Sequence, residues 1–181
     1  MAARARWARL VLAGSLAAAG QAQGGTHLGA FGVAESSSCS GDCGSALEEQ
    51  EPGFGASFLF TGRLYGDWGV FLELGGTDEA PFAGVGATRW FGPLRLQAGA
   101  YMATHQADYS FGAPFPDGES SEQVSALGAE VSYHGVFLRY QRYSAEHSFE
   151  STNPADQTQT RTASASFDVD SFFLGYRYTL W

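Results

Sequence analysis

The sequence is poor in cysteine, in basic residues and in long hydrophobic runs. It has 2 Cys among 181 residues, too few for a disulfide-rich scaffold or a cysteine-based zinc module. Its 10 basic residues face 19 acidic ones, giving a formal net charge of −9, which excludes the basic surface that nucleic-acid binding requires. Beyond residue 22 no apolar stretch has the roughly 20 residues of a membrane-spanning helix. The length predicts a single domain.

Aromatic residues and glycines are abundant at average polarity. The chain contains 4 Trp, 8 Tyr, 14 Phe and 24 Gly, yet its mean hydropathy is only −0.15. A hydrophobic content of 44% is too high for a disordered acidic chain. A soluble core does not need so many rings, and a helical membrane protein would be more hydrophobic. This combination of many aromatic residues with an average mean hydropathy therefore indicates a fold in which aromatic and polar residues alternate along the chain.

The first 22 residues have the pattern of a secretory signal peptide. Arg4, Arg6 and Arg9 precede an apolar stretch at 10–19, and small residues follow it up to Ala22. We expect cleavage after residue 22, or alternatively after residue 19, leaving 23–181 as a barrel domain. Loss of the three arginines would leave 7 basic and 19 acidic residues, a net charge of −12.

The two cysteines are close in sequence, at Cys39 and Cys43. Export would place them in an oxidising compartment, where neighbouring thiols pair. We therefore predict a disulfide between them. A zinc site is disfavoured because no histidine lies nearby.

Side-chain polarity alternates with a period of two along most of the chain. This period is typical of strands with one apolar face. Six segments show it clearly and two more weakly, and each predicts a strand of about ten residues, the length of a tilted strand that crosses a bilayer. The clear segments are 54–61, 70–75, 94–103, 127–133, 136–141 and 172–180, and the weaker ones are 25–35 and 82–91.

The connections between these segments alternate in length. Short turns are predicted at 65–68, 91–93 and 133–135, and longer polar loops at 36–52, 76–81, 106–122 and 149–162. An even strand number with short turns at one end and long loops at the other is typical of bacterial outer-membrane barrels. The fold class predicted is all-β, an eight-stranded antiparallel up-and-down transmembrane barrel with short periplasmic turns and four longer extracellular loops.

The two faces of the predicted strands differ in chemistry. One parity is almost uniformly apolar and would face lipid. The other carries many small residues and five charged ones, which would have to be paired inside a narrow eight-stranded barrel. We predict that these five form an internal charge network, namely Glu73, Glu130, Arg95, Arg139 and Arg177.

The last ten residues, 172–181, resemble the closing strand of outer-membrane barrels. They alternate in hydrophobicity, contain a glycine and end on an aromatic ring. With the signal peptide and the loop asymmetry, the chain resembles the small OmpA/OmpX-like outer-membrane β-barrel family. The resemblance implies an outer-membrane location, contact with membrane lipid and lipopolysaccharide, and a C-terminal signal read by the barrel-assembly machinery. That signal would comprise Gly175, Tyr176, Tyr178, Leu180 and Trp181.

We expect a non-enzymatic, monomeric barrel without a cofactor, whose acidic loops serve envelope structure or extracellular contacts. Loop carboxylates such as Asp42, Glu49 and Glu119 suit weak divalent-cation binding, although no segment has calcium-loop spacing.

Three alternatives stay open. One is a small-solute channel. A second is a secreted lipocalin-like barrel. The third is a lipid A-modifying enzyme, because residues 139–145 faintly resemble a deacylase motif around Ser144. Arg142 stands where that motif has its catalytic histidine, so the serine lacks a general base there.

Overall fold

Eight strands make up the fold in the computed structural model, which describes residues 24–43, 52–78 and 80–180. In chain order they are β1 (Gly24–Gly41), β2 (Gly53–Tyr65), β3 (Trp68–Thr77), β4 (Pro81–Phe91), β5 (Leu94–Tyr109), β6 (Gly118–Tyr133), β7 (Val136–Thr152) and β8 (Thr160–Thr179). The predicted signal peptide lies outside the described residues. Among the described residues no helix is long and apolar enough to cross a membrane.

The strands form one closed ring of antiparallel neighbours, which are consecutive in the chain except where the ring closes. The ring closes where β1 pairs with β8, from His27–Thr179 to Gly41–Ala165. Along the part of the barrel where all eight strands pair, closure leaves no open sheet edge, which is the condition for strands to exist in lipid. The predicted eight-stranded up-and-down barrel is confirmed.

Several strands are much longer than the predicted ten residues. β3 and β4 have 10 and 11 residues, but β5 to β8 have 16 to 20. The loops are correspondingly shorter than predicted: the connections after β3, β5 and β7 span only 78–80, 110–117 and 153–159. The additional residues extend these strands beyond one end of the barrel. Exposed polar side chains still alternate with buried ones there, as in the rest of each strand.

The outer face changes character part-way along the long strands. In β8, Leu174 and Phe172 are exposed and apolar, whereas the next outward residues are Asp170, Asp168 and Ser166. The other long strands change in the same way beyond Met102, Leu127 and Tyr140. We call the exposed apolar zone of the outer face the belt. We call the parts of β1 and of β5 to β8 that lie beyond the belt the extension.

The inner face changes in the opposite sense. Within the belt it carries the buried charges, whereas in the extension it is an apolar core of Ala107, Phe149, Ala163, Phe167 and Val169. An apolar exterior suits lipid, and a polar exterior over an apolar core suits water. The change of pattern marks the edge of the membrane-spanning segment.

Glycines on the inner face make room for rings. A Cβ atom at Gly84 would lie 2.3 Å from the Tyr101 ring, and one at Gly99 would lie 2.8 Å from Phe71. Both rings are at least 97% buried. The glycines in the strands therefore permit a close approach that any larger residue would prevent.

Cys39 and Cys43 are bonded to each other at the top of β1. The Asp42 amide between them donates to the Ser164 carbonyl, 2.9 Å away. The disulfide thus sits where β1 ends against β8 in the extension.

Candidate functional site

The five charged residues named from strand parity all lie inside the barrel. Each is at most 8% exposed. They come from β3, β5, β6, β7 and β8, so the group crosses the full width of the barrel. Four of them form a closed set that we call the charge ring: Glu73, Glu130, Arg139 and Arg177.

In the charge ring each carboxylate accepts from both guanidiniums. Arg139 Nε and Nη2 donate to Glu130 Oε2 at 3.1 and 3.0 Å, and Arg139 Nη2 also donates to Glu73. Arg177 Nη2 donates to Glu73 Oε1 at 2.9 Å, and Arg177 Nη1 donates to Glu130. The two positive and two negative charges balance, which is the condition for burying them.

Aromatic rings surround the charge ring. The Arg139 guanidinium lies 4.9 Å from the centre of the Tyr101 ring, and that of Arg177 lies 4.0 Å from the Phe137 ring. Cations over ring faces gain electrostatic stabilisation when water is absent. Aromatic side chains and ion pairs together fill the cross-section of the barrel at the level of the charge ring.

Arg95, the fifth charge, is held apart from the ring. Its nearest carboxylate oxygen is Glu130 Oε1, at 3.9 Å from Nη2. Its Nε donates to Ser132 Oγ at 3.1 Å, and its Nη1 lies 3.3 Å from His27 Nε2. It stands at the end of the barrel where the short turns lie.

The residues of the predicted C-terminal signal point in two directions. Gly175 faces inward, where a Cβ atom would lie 2.6 Å from Phe31 Cβ and 2.7 Å from Phe137 Cε1. Tyr176 and Tyr178 face outward and are exposed, and Leu180 donates its amide to the Thr26 carbonyl at 2.8 Å. Trp181 lies outside the described residues. The assembly role stays a prediction.

A pair of histidines lies on the inner face of the extension, where sequence reasoning placed none. His105 of β5 and His147 of β7 are at most 8% exposed, and His105 Nδ1 lies 2.8 Å from His147 Nε2. The other nitrogen of His147 lies 3.0 Å from Ser120 Oγ on β6. The two histidines are 42 positions apart in the sequence, and no local pattern links them.

This histidine pair bridges a seam in the wall. In the described part of the chain the β6–β7 ladder ends at Leu127–Arg142, whereas β5–β6 and β7–β8 remain paired to their loops. Side chains hold the seam: the Glu146 amide donates to Glu122 Oε2 at 2.7 Å, and Ser151 Oγ donates to the Pro116 carbonyl at 2.7 Å.

Ser144, the serine of the deacylase-like segment, lies on the outer face. Its hydroxyl donates to Asp168 Oδ1 at 2.5 Å. His147 faces inward and is buried, as expected for a residue of opposite parity. The described geometry does not bring Ser144 to a histidine.

The acidic residues predicted in loops mostly lie on the extension. Apart from the charge ring, residues 103–171 contain nine carboxylates and two arginines, Arg142 and Arg161. Glu48, Glu49, Glu51 and Glu79 lie outside the described residues. In the ranges that the structure describes, no group of three or more His, Cys, Asp or Glu is arranged to hold a metal ion.

No family model and no curated protein matches the chain. Several solved structures are similar in overall shape. Ail, the attachment invasion locus protein of Yersinia pestis, solved with the heparin analogue sucrose octasulfate, is 16% identical over 85% of this chain and 99% of its own, with a TM-score of 0.43. OmpT, an outer membrane protease from Escherichia coli, is 7% identical over 87% and 94%, with a TM-score of 0.43.

OprG, an outer membrane protein from Pseudomonas aeruginosa, is 13% identical over 85% of this chain and 96% of its own, with a TM-score of 0.35. These similarities are weak and concern overall shape alone. The closed ring of eight strands with an apolar exterior is itself the architecture of an outer-membrane β-barrel.

Replacing one arginine of the charge ring should destabilise the barrel strongly. In Arg139→Met, Glu73 keeps only Arg177, and Glu130 keeps Arg177 and the 3.9 Å approach of Arg95, so both buried carboxylates lose a hydrogen-bonding guanidinium. We expect the free energy of unfolding to fall by about 3–5 kcal/mol, measured by urea unfolding in lipid vesicles. Arg142→Met is the matched control, because that side chain is 61% exposed and its nearest carboxylate oxygen is 3.9 Å away. Equal losses in the two variants would contradict a stabilising role for the ring.

Acidification should weaken the extension through the histidine pair. Burial, and to a smaller extent the neighbouring His147, lowers the pKa of His105 from 6.5 to about 4; burial also lowers the pKa of His147. Glu122 acts in the opposite direction on both. Between those pKa values the unfolded chain binds more protons than the folded one, so stability falls as the pH falls from about 6.5 towards 4.

The measurement is the urea midpoint at pH 7 and at pH 5. The wild-type midpoint should drop on acidification, and the His105→Phe variant, which has one buried titrating ring fewer, should show a smaller drop. A drop of the same size in both proteins would show that the histidine pair is not its source.

Proposed function

We propose that this chain is an integral outer-membrane protein that works as a closed anchor, holding an acidic extension above the membrane for structural or binding contacts outside the cell. The observation that carries the proposal is the reversal of polarity along the long strands. The apolar exterior of the belt suits lipid, and the polar exterior of the extension suits water.

The filled interior supports an anchor over a channel. The charge ring joins β3 to β6, β7 and β8 across the barrel, and its four members are at most 4% exposed. The rings of Tyr101 and Phe137 pack around it. A solute would have to break several ion pairs to pass.

The charge of the extension supports contacts through its surface. Carboxylates outnumber arginines nine to two between residues 103 and 171, outside the charge ring. A surface of this sign attracts cationic partners, and salt weakens that attraction because the charges are exposed. Weak binding of divalent cations fits the same chemistry.

The test is the side of the membrane on which each end can be labelled. Cysteines introduced singly at Glu119, in the extension, and at Asp67, in the β2–β3 turn, report the two ends, since both side chains are exposed. The native cysteines are bonded to each other and do not react with maleimide. We expect a membrane-impermeant maleimide to label Glu119→Cys on intact cells.

Asp67→Cys is the matched control for that labelling. It should react only after the outer membrane has been made permeable. Labelling of Asp67→Cys on intact cells, with protection of Glu119→Cys, would reverse the orientation and refute the proposal. Reaction of neither variant in permeable cells would mean that the barrel had not been exported.

A hydrolytic function is the second candidate because one geometric observation favours it. Ser120 Oγ, His147 and His105 form a chain of hydrogen bonds with the order of a serine, a base and an orienting group. Burial works against it, because a lowered pKa makes His147 a weak base near neutral pH.

A fluorophosphonate probe separates the two functions. The anchor proposal predicts that the folded protein is not labelled. Labelling that is lost in Ser120→Ala and kept in Ser144→Ala would favour the hydrolase instead. Ser144 is a suitable control because it lies on the outer face, away from the histidines.

A further inference from the structure

The turn end of the barrel contains a cavity that the anchor function does not use. It has a volume of about 440 Å³ and lies beside the β4–β5 and β6–β7 turns. The side chains that give it its chemistry are His27, Arg95, Ser132, His134 and Arg177. Arg95 is 8% exposed and Arg177 is 2% exposed, so both guanidiniums are withdrawn from bulk water.

The charges around this cavity do not balance. Among the buried charged side chains that the structure describes, three arginines face two carboxylates, and the charge ring uses both carboxylates with Arg139 and Arg177. Among the described residues, the only ion pair of Arg95 is the 3.9 Å approach to Glu130. One buried positive charge is therefore left on the side of the cavity.

A hydrogen-bond donor is also left over on this side. Arg95 has acceptors for Nε and Nη1, at Ser132 and His27, while Nη2 has none within hydrogen-bond distance in the described chain. A buried donor without an acceptor costs free energy, which an anion beside it would recover.

We propose that this cavity is a binding site for a phosphate group. A phosphate offers an oxygen to the free Nη2 of Arg95 and supplies the missing negative charge. Arginine forks match its geometry, and the cavity is large enough for the group. His27 and His134 also line the cavity, and their ring nitrogens add to its polar groups.

The source of the phosphate is either a free phosphate ester or a phospholipid headgroup. Tyr176 and Tyr178 line the same cavity and are exposed on the outer face of β8. The cavity therefore reaches the level at which the barrel meets the membrane interface. Both sources present the same chemistry, so the experiment has one arm for each.

The experiment follows the amide NMR signals of Ser132 and Gly135. In the first arm the protein is folded in dodecyl maltoside micelles and titrated with inorganic phosphate, with sodium chloride of equal ionic strength as reference. In the second arm it is folded in nanodiscs of digalactosyldiacylglycerol, which has no phosphate, with or without added phosphatidylglycerol. We expect shifts in at least one arm, and in the first a Kd of about 1 mM or tighter.

Two variants locate the site. Arg95→Gln should raise the Kd by about tenfold or more, because it removes the unbalanced charge and the free donor. Arg89→Gln is the matched control, since Arg89 lies at the same end on the outer face, over the Trp68 ring at 4.8 Å, and should leave the Kd unchanged. If Arg95→Gln fails to fold, Arg95→Lys keeps the charge and should bind more weakly than wild type.

The outcomes decide the proposal. Shifts in the first arm support a free phosphate ester, and shifts in the second arm alone support a lipid headgroup. No shift in either arm beyond the chloride reference overturns the site. Equal binding by wild type, Arg95→Gln and Arg89→Gln overturns it as well.

Discussion

Two carboxylates and two guanidiniums hold the middle of this barrel in place, and each is buried too deeply to be stable without the others. Glu73 comes from β3, Glu130 from β6, Arg139 from β7 and Arg177 from β8. A slip of one residue in any of these strands would turn a charge towards lipid and a large apolar side chain towards the ring. The ring therefore fixes the register of half the strands, and through the register it fixes which residues form the belt.

The reversal of polarity follows from the same rule applied in two solvents. Inside the bilayer, the outer face must be apolar, so charge is confined to the interior and must be paired. Above the bilayer, water covers the outer face, and the interior becomes an ordinary core around Phe149 and Phe167. One chain thus contains two opposite patterns in continuous strands, and the border between them lies near Met102, Leu127, Tyr140 and Phe172.

Sequence reasoning predicted the strand number, the topology and the lipid-facing parity, because apolar residues in the belt contrast strongly with their neighbours, as Leu138 and Tyr140 do with Arg139 between them. It missed the length of the strands. In the extension of β8, at residues 163–166, buried alanines alternate with serines, and residues of such similar size give little contrast. Sequence reasoning also identified the five interior charged residues, but strand parity does not predict how far apart their side chains lie across the barrel. Neither the isolation of Arg95 nor the meeting of His105 with His147 could be read from the sequence.

The ladder between the first and last strands has a consequence for how the molecule forms. β1 pairs with β2 early in the chain, but it finds its second partner only when β8 arrives, since those paired positions are separated by nearly the whole chain, as in His27–Thr179. Until then the sheet has two open edges, which lipid cannot satisfy. Closing so long a loop is slow, because its entropy is lost before the contacts form. Insertion should therefore be all-or-none, with a late kinetic barrier set by the final strand.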